Sequence, residues 1–197
     1  MTHLGTQELE TERLILRRFK KDDAQYVFNN WANDAEVTKY LVLPPHKDIN
    51  DSIHFLNEWL PKYEKNDFYD WAIVLKEINE PIGSIGAVKQ SDEIKMVHIG
   101  YCIGKKWWNK GIVSEALQTI IKYFFEEIGV NRIEARHDPT NPSSGKVMAK
   151  CGMRYEGRLR QADKNNLGIT DTLYYGILAE DYFRSRFQIF IKQSSWD

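Results

Sequence analysis

The chain of 197 residues carries 27 basic and 28 acidic side chains, a formal charge of -1, and its length suits one domain. Hydrophobic residues at 42% and charged residues at 28% exclude a disordered composition, and the balanced charge excludes the basic excess of a dedicated nucleic-acid binder. Two cysteines, Cys102 and Cys151, are too few and too far apart for a disulfide framework or a zinc site, so no metal is expected.

No run approaches the roughly 20 apolar residues that span a bilayer, and the opening MTHLGTQELETERL lacks the apolar segment of a signal peptide. With unpaired thiols, this predicts a cytoplasmic protein without a membrane partner.

In chain order, residues 13–19 read as a strand, and Asp22 or Asp23 caps a helix that reaches Asn33. Pro44-Pro45 breaks the chain, after which Asp48 or Asn50 caps a second helix with Ile53, Leu56, Trp59 and Leu60 at helical spacing. Residues 69–75, 82–89 and 96–103 read as three strands joined by short polar loops, an antiparallel meander. Then the character changes. Residues 104–113 read as a loop and 114–128 as a helix with a broad apolar stripe, stopped by Gly129. A strand at 132–137, a short helix at 143–151, strands at 153–159 and 171–178, and a short helix at 180–184 complete the set.

The pattern predicts a single α+β domain over residues 1–197, layered α/β/α. Its mixed, mostly antiparallel twisted sheet has about seven strands, the two flanking the central helix being parallel. Residues from about 12 to 184 form the expected core, and 185–197 a tail with no assigned role.

The chemistry concentrates where the third meander strand runs into the central helix. Backbone N–H groups at that helix start have no intrahelical partner and attract an anion. Gly111 allows close backbone approach, and Lys106 and Lys110 add positive charge, so the local reading is a phosphate or pyrophosphate cradle. The alternative is a plain lysine-glycine turn. Neither GxGxxG nor GxxxxGK[ST] occurs here.

These segments, taken together, resemble the GNAT N-acetyltransferase superfamily, and within it the branch of ribosomal-protein N-acetyltransferases called RimJ/RimL-like. The resemblance rests on Thr11-Glu12-Arg13-Leu14, Ile99-Gly100-Tyr101, Trp108-Asn109-Lys110-Gly111-Ile112-Val113, Glu115-Ala116, Asn131-Arg132-Ile133-Glu134-Ala135, Asn141-Pro142-Ser143-Ser144-Gly145, Lys150-Cys151-Gly152-Met153 and Tyr155-Glu156-Gly157. It departs from the family at Trp108, where Gln or Arg is usual, at Val113, where Gly or Ala is usual, and at Met153, where Phe is commoner.

The resemblance implies a GNAT fold and an acetyl-CoA-dependent N-acetyltransferase working by direct attack of a primary amine in a ternary complex. It places the pantetheine arm along Tyr101, Cys102 and Ile103, with the N–H of Cys102 or Ile103 on the thioester oxygen. The pyrophosphate falls on Trp108, Asn109, Lys110, Gly111, Ile112, Val113 and Ser114, and Asn141 is a further cofactor contact. Ser144 matches the serine that protonates the leaving thiolate, with helix capping as its alternative. Two residues compete as the base. Asp163 stands where the branch places a carboxylate, in what reads as a solvated loop, and His98 lies on the cofactor strand with an ordinary pKa of about 6.5. Trp31, the segment 40–46 and the loop 164–168 are expected to border the acceptor cleft, Trp31 with the alternative of a core position. The acceptor is an amine, a protein N-terminus or a small molecule such as an amino acid, aminoglycoside or polyamine. A non-catalytic acyl-CoA sensor is the alternative function, and monomer or homodimer the expected assembly.

Overall fold

The computed structural model describes residues 1–194, with side chains through residue 187. Its strands are β1 (Leu9–Glu10), β2 (Leu14–Arg17), β3 (Asp70–Leu75), β4 (Glu80–Ser91), β5 (Met96–Ile103), β6 (Arg132–His137), β7 (Arg154–Asn165) and β8 (Gly168–Leu178). They form one sheet in the order β1-β2-β3-β4-β5-β6-β8-β7. Every pairing is antiparallel except β5 with β6. The eighth strand, beyond the seven expected, is β1, whose two residues pair with Leu16 and Ile15. Two residues are too few to show alternation.

The helices are α1 (Ala24–Val27), α2 (Ala35–Thr38), α3 (Ile49–Trp59), α4 (Ile112–Tyr123), α5 (Pro142–Lys150) and α6 (Ala179–Ser194). Asp48 caps α3 by accepting from Asn50 N at 2.7 Å. Asp22 and Asp23 do not cap α1; Asp23 instead holds Lys20 N and pairs with Arg17. The chain after α1 widens into a π turn over residues 28–32. Helix α4 links the parallel pair, as a crossover must. It relaxes into a second π turn at residues 124–128 before Gly129, at φ 72°.

Strand alternation creates two cores on opposite faces. On one, Trp71, Ile73, Val97, Ile99, Ile133 and Ala135 pack against Ala116, Leu117, Ile120 and Phe124. Leu117 and Ile120 are each 0% exposed, and burying such a side chain contributes about 1.5–3 kcal/mol. On the other face Ala72 and Val74 meet Phe19, Val27, Trp31 and Leu56. Trp31 is thus a core residue and not a border of the cleft.

Three expectations need correction. Strands β7 and β8 run farther than the polar composition of residues 159–168 predicts, because ladder pairing resumes after a bulge between Leu159 and Asp163. Asp163 therefore lies in a strand, opposite Thr170, and not in a solvated loop. Residues 180–184 are only the start of α6, which runs through most of the expected tail. Among the described residues, no helix is long and apolar enough to cross a membrane.

Close strand packing at Gly83 generates a test. A Cβ there would lie 2.3 Å from Cys102 O and 2.9 Å from the Ile103 Cα, both backbone atoms. Gly83→Ala should lower stability by about 1–3 kcal/mol, read as a lower thermal midpoint; an unchanged midpoint would contradict the β4–β5 register.

Candidate active site

Parallel pairing of β5 with β6 runs from Met96↔Arg132 to Ile99↔Ala135 and stops, although β5 continues to Ile103 and β6 to His137. Past that point β6 pairs with β8 alone. Residues 100–103 of β5 are left with an unpaired main-chain edge facing a gap in the sheet.

The phase of the ladder decides which groups face that gap. Arg132 N donates to Lys95 O at 3.1 Å, so odd-numbered β5 residues turn their main chain toward β6. Gly104 N donates to Ile82 O at 2.9 Å, so even-numbered ones turn toward β4. Tyr101 and Ile103 therefore point N–H groups into the gap, while Cys102 points its own at β4. Of the two donors expected from the sequence, Ile103 has the right direction and Tyr101 takes the place of Cys102. The Ile103 carbonyl is already engaged by Trp108 Nε1 at 2.9 Å. The Cys102 side chain turns to the opposite face, 3.4 Å from Ser84 Oγ, and burial pushes its thiol pKa up.

At the end of the gap the chain enters α4. Asn109 and Gly111 adopt left-handed conformations, φ 60° and 74°, a geometry Asn tolerates and Gly prefers. The first helical bond runs from Glu115 N to Gly111 O at 3.1 Å, so the N–H groups of Ile112, Val113 and Ser114 precede any intrahelical acceptor. Ile112 and Ser114 are buried and Lys106, Asn109 and Lys110 exposed. A side chain at Gly111 would find open space, its nearest neighbour being Arg13 Nη2 at 3.8 Å. Backbone geometry, not crowding, therefore calls for glycine there.

The chain start locks this turn in place. Arg13 pairs with Glu115 at 2.6 Å and donates through Nη1 to Lys110 O at 3.0 Å. Thr11 Oγ1 donates to Glu115 Oε1, as does the Arg13 N at 3.2 Å. Burial alone would raise the Glu115 carboxyl, but the Thr11 and Arg13 hydrogen bonds bring it below its ordinary value. The carboxylate stays ionised, with its charge paired to Arg13 beside the anion cradle.

Helix α5 flanks the gap from the same face as α4. Asn141 occupies its N-cap position without a side-chain capping bond, which leaves the amide free. Ser144 does not cap either. Its Oγ lies 2.9 Å from the Tyr101 hydroxyl, which donates to Ser144 O at 3.0 Å. Burial raises the Tyr101 pKa, so the phenol stays protonated. The structure thus joins a strand tyrosine and a helix serine that sequence reasoning treated separately.

The two base candidates lie on the other face. His98 is 5% exposed; its Nδ1 sits 3.1 Å from Glu134 Oε1, and burial holds its imidazole below the ordinary value despite that bond. Asp163 is gripped by Arg136 through both oxygens, at 2.8 and 3.0 Å, and its Oδ1 also accepts from Lys164 N at 2.9 Å. The 164–168 turn, expected at the cleft border, holds the 40–46 segment through Asn166 Nδ2, which donates to Thr38 O and Leu43 O at 2.9 and 2.8 Å.

Sequence reasoning missed Asp70. Its parity with Ala72 and Val74 was the available signal, a carboxylate at an inward position of a strand. Trp59 Nε1 donates to its Oδ2 at 2.6 Å, and burial pushes its carboxyl up to about 7 against the opposing effects of Trp59 and Lys62.

Comparisons with known proteins agree with this geometry. A family model described as acetyltransferase (GNAT) domain matches residues 13–154. An uncharacterized N-acetyltransferase of Bacillus licheniformis is 35% identical over 179 residues, covering 89% of this chain and 98% of its own. The ribosomal protein uS5-alanine N-acetyltransferase of Escherichia coli is 28% identical over 171 residues, 76% of this chain and 79% of its own. A crystal structure of a GNAT-family acetyltransferase from Bacillus anthracis superposes with a TM-score of 0.76 at 31% identity, covering 88% of this chain and 99% of that one. With a family model over residues 13–154 and a relative 35% identical over 89% of this chain's length, the protein belongs to the GNAT acetyltransferase family.

Proposed function

We propose that the protein transfers an acetyl group from acetyl-CoA, the donor used by GNAT acetyltransferases, to a primary amine by direct attack in a ternary complex. The observation that carries this reading is the β5–β6 gap ending at the α4 N-terminus. It supplies a row of unpaired donors followed by an anion cradle, which matches a long ligand ending in a pyrophosphate. When bound, that donor supplies an activated thioester.

The roles of the chain's own groups follow. The N–H groups of Ile112, Val113 and Ser114 hold the pyrophosphate, with Lys110 adding charge, Asn109 and Gly111 shaping the turn and Trp108 pinning it to Ile103. Tyr101 and Ile103 offer N–H groups to the pantetheine arm and the thioester oxygen, and Asn141 offers its uncommitted amide. Ser144 Oγ, backed by the Tyr101 phenol, holds the proton for the leaving sulfur. A protein N-terminal α-amine is the acceptor we favour, supported by the similarity to a ribosomal-protein-alanine N-acetyltransferase.

Thermal stability measured with acetyl-CoA, CoA, NAD and ATP in parallel tests the donor. Acetyl-CoA and CoA should raise the midpoint, with about 2.7 kcal/mol of stabilisation at a hundred times Kd, and NAD and ATP should not. A larger shift with NAD or ATP would overturn the reading. Gly111→Glu, which places a carboxylate in the cradle, should abolish the acetyl-CoA shift while the apo protein remains folded; an undiminished shift would refute the cradle. Ser144→Ala should lower kcat by about 10²-fold at unchanged acetyl-CoA affinity, and wild-type turnover would remove its role. Saturable acetyl-CoA binding without thiol release on any amine would instead identify a sensor.

A further inference from the structure

The Cα register across three strands places Asp70 opposite Gly86 and Gly86 opposite Gly100. Gly100 is the first β5 residue beyond the parallel pairing with β6. A single row therefore runs from Asp70 to the mouth of the gap, about 10 Å at ordinary strand spacing. It lies on the face opposite Tyr101 and Ser144.

Gly86 and Gly100 bring no side chain of their own to the row, and a neighbouring side chain lies over each. A Cβ on Gly86 would fall 2.4 Å from Asp70 Oδ1, so the carboxylate leans over Gly86 toward β5. A Cβ on Gly100 would fall 2.9 Å from Val88 Cγ1, so Val88 forms the wall at that end. The carboxylate is held at Oδ2 by Trp59 Nε1, which donates at 2.6 Å. The Asp70 main chain is fixed on both sides, its N–H donating to Thr6 Oγ1 at 3.0 Å and its carbonyl accepting from the Tyr63 hydroxyl at 3.1 Å. Oδ1 has no hydrogen-bond partner among the described residues, and Asp70 as a whole is half-buried.

A carboxylate anchored at one oxygen, with the other unpartnered and leaning over Gly86 toward the strand that borders the gap, fits a cationic amine. We propose that Asp70 is the acceptor-side carboxylate, binding the acceptor ammonium and taking the proton that must leave before attack. This rests on the acetyltransferase reading. One proton passes from the ammonium nitrogen to Asp70 Oδ1, and the freed lone pair forms the C–N bond as the C–S bond breaks. The amide nitrogen loses a second proton and the sulfur gains one, so the net proton released is the one Asp70 passes to solvent.

The acceptor's own proton affinity sets how hard this transfer is. An α-ammonium has a pKa of about 7.7–8.0 and a lysine ε-ammonium about 10.4. Against a carboxyl at about 7, the transfer is uphill by about tenfold for the former and about 10³-fold or more for the latter. The neighbours of Asp70 are Trp59 on α3, Lys62 and Tyr63 in the turn after it, Gly86 on β4 and the Cys102 thiol on β5. Lys62, with Nζ 3.5 Å from the Trp59 ring centroid, favours the ionised carboxylate.

The Trp59 indole N–H resonance reports this carboxylate directly in the free protein. It should titrate near pH 7, lose that titration in Asp70→Asn, and titrate at higher pH in Lys62→Gln, which leaves the carboxylate and its hydrogen bonds intact. A flat wild-type titration between pH 5.5 and 8.5 would overturn the proposal. With acetyl-CoA and a short peptide bearing a free N-terminal alanine, Asp70→Asn should lower kcat by about 10²-fold at unchanged acetyl-CoA affinity and lose the acid limb near pH 7. Wild-type turnover with an unaltered pH profile in that variant overturns the Asp70 assignment alone. No CoA release by the wild type, on this or any other amine, would remove the acetyltransferase reading and this step with it.

Discussion

The parting of β5 from β6 after Ile99↔Ala135 is the constraint on which the site depends. A sheet interior does not leave main-chain donors unpaired without a reason, because each unpaired buried N–H costs as much as a lost hydrogen bond. Here the edge is unpaired by construction. Strand β8, antiparallel to β6 through His137, draws β6 away, and Trp108 holds the end of β5 through the Ile103 carbonyl. The same parting opens a passage between the two faces of the sheet. Ser144 and Tyr101 sit on one side, His98, Asp163 and Asp70 on the other, so the strands themselves keep these two sets of polar groups apart.

A second constraint fixes the far end of the ligand path. Thr11 and Arg13 reach from the chain start to Glu115 in the first turn of α4, and Arg13 also takes Lys110 O. This sets the turn around Gly111 without occupying the donors that an anion needs. Motifs about a hundred residues apart in sequence are thus two halves of one hydrogen-bonded lock.

Much of this was legible in the sequence because local patterns speak for local structure. The apolar stripe of α4, the short polar hairpin loops and Gly129 each carry their own physical signal. The cofactor side was legible for the same reason, since turn, glycine and helix start are contiguous. The acceptor side was not. Asp163 read as a loop residue because residues 161–166 are polar, whereas register with β8 and the Arg136 pairing decide its place. His98 read as a free base because its partner Glu134 lies on another strand. Asp70 stood among aromatic neighbours with no motif, and only the alignment of three strands brings its carboxylate over Gly86 and toward the gap.

The parted strands and the α4 N-terminus together specify which amides meet acetyl-CoA. Titrating acetyl-CoA into isotopically labelled protein and following backbone amide resonances measures this residue by residue. The largest shifts are expected at Tyr101 and Ile103 and at Ile112, Val113 and Ser114, with Cys102 less perturbed because its N–H is held by β4. Shifts centred elsewhere, or on Cys102 instead of its two neighbours, would contradict this assignment.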